Sequence, residues 1–235
     1  MITVIPAIDL FEGRCVRLSQ GDFARETRYS GSPEEMARLF LDAGFRRIHA
    51  VDLEGAKAGR PMNLAVLQRL AELGADVEWG GGINREEDLR AAMDAGAGHV
   101  VCGTLAVRDP ALFRRWLDRF GPEQIILGAD VRGTEVATHG WLENSGLAVG
   151  DLIASFLPAL SEVIVTQIAR DGMLGGADVD LYRSLMARFP DLTFTASGGV
   201  GSVDDVRALE AAGVPRVIVG KALYEKKIAL EELSW

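Results

Sequence analysis

The sequence predicts an α/β protein, a (β/α)8 barrel built from two similar halves. Three observations carry that expectation. Eight short apolar runs alternate with helical segments along the whole 235-residue chain, with no linker between them. The runs show little polar alternation, as expected of strands covered on both faces. The later parts of the two halves also repeat each other in register.

The first run is Ile2 to Ile8, followed by Arg47 to Asp52, Asp76 to Trp79 and His99 to Cys102. The second set is Gln124 to Asp130, Glu162 to Gln167, Leu192 to Ala196 and Arg216 to Val219. A helix is expected after Ser32, which offers an N-cap, with Pro33 at the first helical position and Glu34 and Glu35 in the first turn. Met36, Leu39, Phe40 and Ala43 then recur at helical spacing, and Gly44 ends the segment. Further helices are expected over Asn63–Leu73, Arg85–Ala95, Pro110–Phe120, Leu147–Leu157, Asp180–Phe189 and Ser202–Ala212, with a short one near the C-terminus. One barrel domain over residues 1–235 follows, with half-barrels of about 1–121 and 122–235.

Composition narrows the function classes. Hydrophobic residues make up 48% of the chain, enough for a substantial core. No apolar run approaches the roughly 20 residues that span a bilayer, so no membrane role is expected. The first residues lack a basic region of the kind that opens a signal peptide. The net charge of −9 argues against nucleic-acid binding but not against a small anion held by backbone N–H groups. Two cysteines, Cys15 and Cys102, give no disulfide framework, and a cytoplasmic location is expected. A monomer is the default expectation.

Laid over each other so that Gly55 meets Gly172, the later parts of the two halves match without a gap. Gly59 meets Gly176, Gly81-Gly82-Ile83 meets Gly198-Gly199-Val200, and Gly103 meets Gly220. Asp88, Arg90 and Ala91 meet Asp205, Arg207 and Ala208. Upstream, a slightly different offset brings Asp9 onto Asp130, each at the end of an apolar strand. Tight βα turns alone would explain single glycines. Paired glycines in register after the third, fourth, seventh and eighth strands point instead to duplication of a half-barrel.

Active sites of such barrels lie at the C-terminal ends of the strands. Gly82, Gly103 and Thr104 fall there in one half, and Gly199, Gly220 and Lys221 in the other. Glycine lets backbone N–H groups approach an oxyanion closely, and each loop precedes a helix start. Two related sets predict a small molecule with a phosphate at each end. Asp9 and Asp130 should face each other across the mouth, placed for one to act as acid and one as base. Both cannot serve while ionised, so one needs a raised pKa or must be recharged during turnover. Capping of a loop is the alternative for each. Thr166, Asp171 and Gly172 make a polar segment after strand six, and His49 and Asp52 end strand two. His49 suits a phosphate, a substrate hydroxyl or a structural hydrogen bond. His99 and His139 have no metal-ligand spacing, and no Walker loop, dinucleotide fingerprint or nucleophile elbow is present.

Taken in order, several segments resemble the HisA-type isomerases of histidine biosynthesis. They are Ile5-Pro6-Ala7-Ile8-Asp9-Leu10, Val16-Arg17-Leu18 with Gly21-Asp22, and His49-Ala50-Val51-Asp52-Leu53-Glu54-Gly55-Ala56. The second half adds Gly128-Ala129-Asp130, Gly140-Trp141, Arg170-Asp171-Gly172, Ser197-Gly198-Gly199-Val200 and Val219-Gly220-Lys221. The resemblance covers essentially the whole chain. It implies an Amadori rearrangement of a bis-phosphorylated aminoaldose to an aminoketose, without metal or organic cofactor. It implies Asp9 as general base at C2 and Asp130 as general acid that opens the ribose ring. Thr166 and Asp171 would lie beside the reacting sugar, and Arg17, His49 and Trp141 would help hold the substrate.

The chain departs from the family's commonest pattern at Gln167, Met173 and Gly176-Ala177-Asp178, where Asp, Thr and Gly-Pro-Asn are frequent. Those departures leave open a bifunctional barrel that also isomerises phosphoribosylanthranilate. The related cyclase of the same pathway would need a different first strand and a glutaminase partner. A non-catalytic phosphosugar-binding barrel would keep the glycine loops and lose the carboxylates, yet Asp9, Asp130 and Asp171 are all present.

Overall fold

Eight parallel strands close into a ring around a filled lumen. The structure is a computed structural model and describes residues 1–19, 22–28, 31–138, 141 and 143–233. In chain order the first half holds β1 (Thr3–Phe11), β2 (Arg14–Ser19), β3 (Asp22–Arg28), α1 (Pro33–Asp42), β4 (Arg47–Asp52), α2 (Leu53–Ala58), α3 (Leu64–Glu72), β5 (Asp76–Gly80), α4 (Glu86–Asp94), β6 (Ala97–Cys102), α5 (Thr104–Arg108) and α6 (Pro110–Phe120). The second half holds β7 (Ile125–Arg132), β8 (Glu135–Thr138), β9 (Glu143–Ala148), α7 (Val149–Ser155), β10 (Glu162–Gln167), α8 (Val179–Arg188), β11 (Thr193–Ser197), α9 (Val203–Ala211), β12 (Arg216–Val219) and α10 (Lys221–Tyr224).

The ring runs β1, β4, β5, β6, β7, β10, β11, β12 and back to β1, with every neighbour parallel. Each of these strands falls on one of the eight runs expected from sequence. The expected cap of α1 is present: Glu35 N–H donates to Ser32 Oγ at 3.1 Å, and Ser32 N–H to the Glu35 carboxylate at 2.9 Å. The matched Asp88 and Asp205 do the same work on α4 and α9. Their carboxylates accept from the backbone of Arg85 at 3.0 Å and of Ser202 at 2.9 Å. That part of the repeat is helix capping, not chemistry.

Two antiparallel hairpins depart from the expected pattern. β2–β3 rises from β1, and β8–β9 from β7. They are short, and β9 is largely exposed, so it carries no apolar run for the sequence to reveal. The short helices α2 and α5 were likewise not expected. Five or six residues are too few to show a helical period.

Period-two alternation puts Ile5 and Ala7 of β1, Ile126 of β7, Ile164 of β10 and Ile218 of β12 together inside the barrel. Burying an isoleucine contributes roughly 1.5–3 kcal/mol. The larger apolar layer lies between strands and helices, and Phe40, Trp79, Phe113, Trp116 and Tyr182 are fully buried there. At the N-terminal ends of the strands, Arg47 bridges Asp76, Glu78 and Glu162, and Arg216 also pairs with Glu162. The mouth at the opposite end is therefore a cup with a packed floor.

Candidate active site

β1 and β7 stand four places apart in the eight-strand ring, so Asp9 and Asp130 lie on opposite walls of the mouth. Their surroundings differ. Asp130 is partly open to the mouth but enclosed by protein on its remaining sides. That desolvation pushes its carboxyl above the usual range, against hydrogen bonds from the Trp141 indole and the Thr166 hydroxyl and the nearby charge of His49. Thr166 reaches it because β10 pairs with β7 in a register that places Thr166 opposite Asp130. Trp141 has a left-handed backbone, φ 72°, and Arg132 donates to its carbonyl at 2.6 Å. Asp9 lies between β2 and β4, opposite Val16 and Val51.

The glycine loops repeat in geometry as well as in sequence. Gly82 and Gly199 have φ of 77° and 96°. A side chain on Gly82 would run into the Arg60 backbone, and one on Gly199 into the Gly176 carbonyl. Gly103 and Gly220 share an unusual conformation, with φ, ψ of −107°, −81° and −115°, −93°. Close backbone packing thus explains Gly82 and Gly199. Gly199→Ala is expected to lose about 1–3 kcal/mol of stability from backbone strain alone, read by denaturant unfolding.

In the second half the cradle is lined by Asp171, Gly172, Ser197, Gly199, Gly220 and Lys221. The Lys221 ammonium donates to the Gly172 carbonyl at 2.8 Å and lies 3.6 Å from Glu225. Its side chain thus crosses the cradle and ties down the loop after β10. Lys221→Met is expected to raise KM about tenfold with kcat little changed, since a charge-assisted hydrogen bond is worth about 1.5–3 kcal/mol. An unchanged KM in steady-state assays would remove this assignment.

The remaining expected residues divide. His49 lies at the mouth side of the lumen, and its Nδ1 is 3.2 Å from the Glu78 carboxylate. Thr104 starts α5, and Asp171 is buried in the loop after β10. Arg17 belongs to β2, but its side chain lies outside the described residues, as do Gly21, His139 and Gly140. Asp52 is not a mouth carboxylate. It is fully buried and accepts from the N–H groups of Gly55, Met62 and Asn63 at 2.8, 2.6 and 2.9 Å and from the Asn63 amide at 2.7 Å. All its accepting capacity goes to shaping the loop after β4.

Two residues were missed by sequence reasoning. Glu78 is a carboxylate set between the apolar Val77 and Trp79 of a strand, which was the available signal. Asp178 caps α8 and accepts from the Gln167 amide at 3.2 Å, while Gln167 also exchanges hydrogen bonds with Gly133 at 3.3 and 3.2 Å. Two of the departures from the family pattern are therefore partners, and together they join the loop after β10 to the β7–β8 turn.

With the cradles and carboxylates all on the C-terminal rim of a closed parallel barrel, the protein falls in the class of (β/α)8-barrel enzymes, which build their chemistry there. The chain belongs to the family described as "Histidine biosynthesis protein", whose model matches residues 3–229. A relative from Bacteroides thetaiotaomicron is 46% identical over 235 residues, covering 99% of this chain and 98% of its own. One from Cytophaga hutchinsonii is 44% identical over 236 residues, covering 100% and 98%. One from Aeromonas salmonicida is 44% identical over 234 residues, covering 97% and 94%. All three carry the name 1-(5-phosphoribosyl)-5-((5-phosphoribosylamino)methylideneamino) imidazole-4-carboxamide isomerase.

Proposed function

We propose that this chain catalyses the aldose–ketose isomerisation for which its relatives are named, acting on a substrate with two phosphoribosyl groups. One observation carries the mechanism. Of two opposed carboxylates between matched glycine cradles, Asp130 is the one whose environment favours the protonated form. Asp130 gives its proton to the ribose ring oxygen, and the ring opens to an imine. Asp9 takes the proton from C2, leaving an enolamine. Return of that proton to C1 and loss of the C2 hydroxyl proton to Asp130 then yield the aminoketose and reset both carboxylates, so atoms balance and no redox partner is needed. Each phosphate is held by one cradle, Gly82 with Gly103 and Thr104, or Gly199 with Gly220 and Lys221. Arg17, His49, Trp141, Thr166, Asp171 and Gly172 hold and orient the sugar.

The same reading makes the protein a cytoplasmic enzyme working as a monomer on a bis-phosphorylated small molecule, with no nucleic-acid or membrane partner. Its two thiols support a reducing compartment: burial pushes both Cys15 and Cys102 up to about 12, so neither is a reactive thiolate. The test is turnover by purified protein on the bis-phosphoribosyl imidazole carboxamide and, separately, on phosphoribosylanthranilate. Consumption of the first alone is expected. The relatives are named for that first activity.

A further inference from the structure

Glu78 lies inside the barrel with no exposed surface. Its carboxylate contacts the Arg47 guanidinium at 3.1 Å on one oxygen and His49 Nδ1 at 3.2 Å on the other. Burial by itself would neutralise it. The hydrogen bond from His49 and the charge of Arg47 outweigh burial and hold it below the usual carboxylate range. An ionised carboxylate can only accept, so Nδ1 of His49 must carry the hydrogen. The other ring nitrogen, Nε2, is left for the mouth, on the side where His49 comes near Asp130.

The charged groups around this pair come from four elements. Arg47 shares β4 with His49, Asp76 shares β5 with Glu78, His99 belongs to β6, and Glu162 of β10 is reached through Arg47. Asp130 of β7 and Asp9 of β1 stand at the rim above. The half-barrel repeat places Thr166 and Thr195 at the positions of His49 and Glu78. The second half therefore completes its share of the barrel without a carboxylate–imidazole pair, so closing the ring does not require one.

We propose that Glu78 is a positioning residue for the reaction. It fixes His49 in the Nδ1–H form, so that Nε2 meets a sugar hydroxyl of the substrate as a hydrogen-bond acceptor. The proposal rests on the isomerase reading of the mouth. Nitrogen-15 spectra of the histidine rings, with His49 assigned from a His49→Gln chain, test the tautomer directly. The neutral ring is expected to carry its proton on Nδ1 in the wild type and on Nε2 in Glu78→Leu. Glu78→Leu is expected to lower kcat/KM roughly tenfold or more, mainly through KM, the scale of one misdirected buried hydrogen bond. Glu78→Gln, whose amide oxygen still accepts from Nδ1, is expected to recover most of that loss. Adding Glu78→Leu to His49→Gln should cost nothing further.

Arg47 keeps Asp76 at 2.9 Å and Glu162 at 3.7 Å, so its charge stays partnered in these variants. The same tautomer in wild type and Glu78→Leu overturns the proposal. So does a fully additive loss in the double variant, which would mean that Glu78 only supports the fold. Should Glu78→Leu not fold, a ring in Glu78→Gln protonated on Nε2 with unchanged kcat/KM overturns it equally. No turnover on either substrate would sink the isomerase reading instead, and the ring spectra would still decide what Glu78 does to His49.

Discussion

Asp130→Asn is expected to cut kcat about a hundredfold to ten-thousandfold, the usual contribution of a positioned general acid. The asparagine keeps the shape and can still accept from Trp141 and Thr166, but it has no acidic proton for the ring oxygen. Asp9→Asn should cost a similar factor, by losing the base. The double variant should fall less than the product of the two, because the groups act as one unit. Wild-type rates from the double variant would falsify the catalytic assignment.

Two pH effects follow from the raised Asp130 carboxyl. As general acid it works only while protonated, so activity should decline as pH rises through its folded-state pKa, and that limb should vanish in Asp130→Asn. Stability moves in the same direction. A carboxyl with a raised folded pKa adds no penalty below the unfolded carboxylate range, where both states are protonated. As pH rises the unfolded chain ionises first, and native stability is lost up to the folded pKa. Asp130→Asn should thus be more stable than wild type at neutral pH and equal to it in acid. Thermal melts across that range check the sign.

Asp52→Ala should be the most destabilising of the loop variants, at about 3–5 kcal/mol. Four donors converge on this one buried carboxylate, and alanine leaves the three backbone N–H groups without it while the Asn63 amide keeps only Glu54. Asp52→Asn should also fail to rescue, since its amide hydrogens would point at donors. Catalytic constants of the surviving folded fraction should change less than stability does. A loss below about 1 kcal/mol in urea titration would mean that water takes over the carboxylate's place.

The barrel was legible because its strands are buried on both faces and announce themselves as apolar runs. The glycines and the two rim aspartates were legible because the repeat marks positions independently of chemistry. What the repeat could not say is which carboxylate carries the proton. That depends on the Trp141 indole, the Thr166 hydroxyl and the enclosure around Asp130, none of which has a sequence period. Asp52 could not be placed from sequence for the related reason that a strand-end aspartate looks the same whether it faces the mouth or turns back into its own loop. Gln167 and Asp178 looked like two separate departures because a separation of 11 residues along the chain hides a hydrogen bond that only the folded loop forms.

The two hairpins give the mouth a mechanical property. Asp9 lies two residues before the Phe11 end of β1, and Asp130 two before the Arg132 end of β7, so each reacting carboxylate sits at the root of an antiparallel arm. Each arm is a lever with its fulcrum at an aspartate. In the proposed mechanism a displacement of β2 or β8 would act first on the aspartate-bearing strand with which it pairs. Shortening an arm should therefore detune turnover while leaving phosphate affinity intact, and exchanging arms between relatives becomes a way to regulate the rate from outside the site.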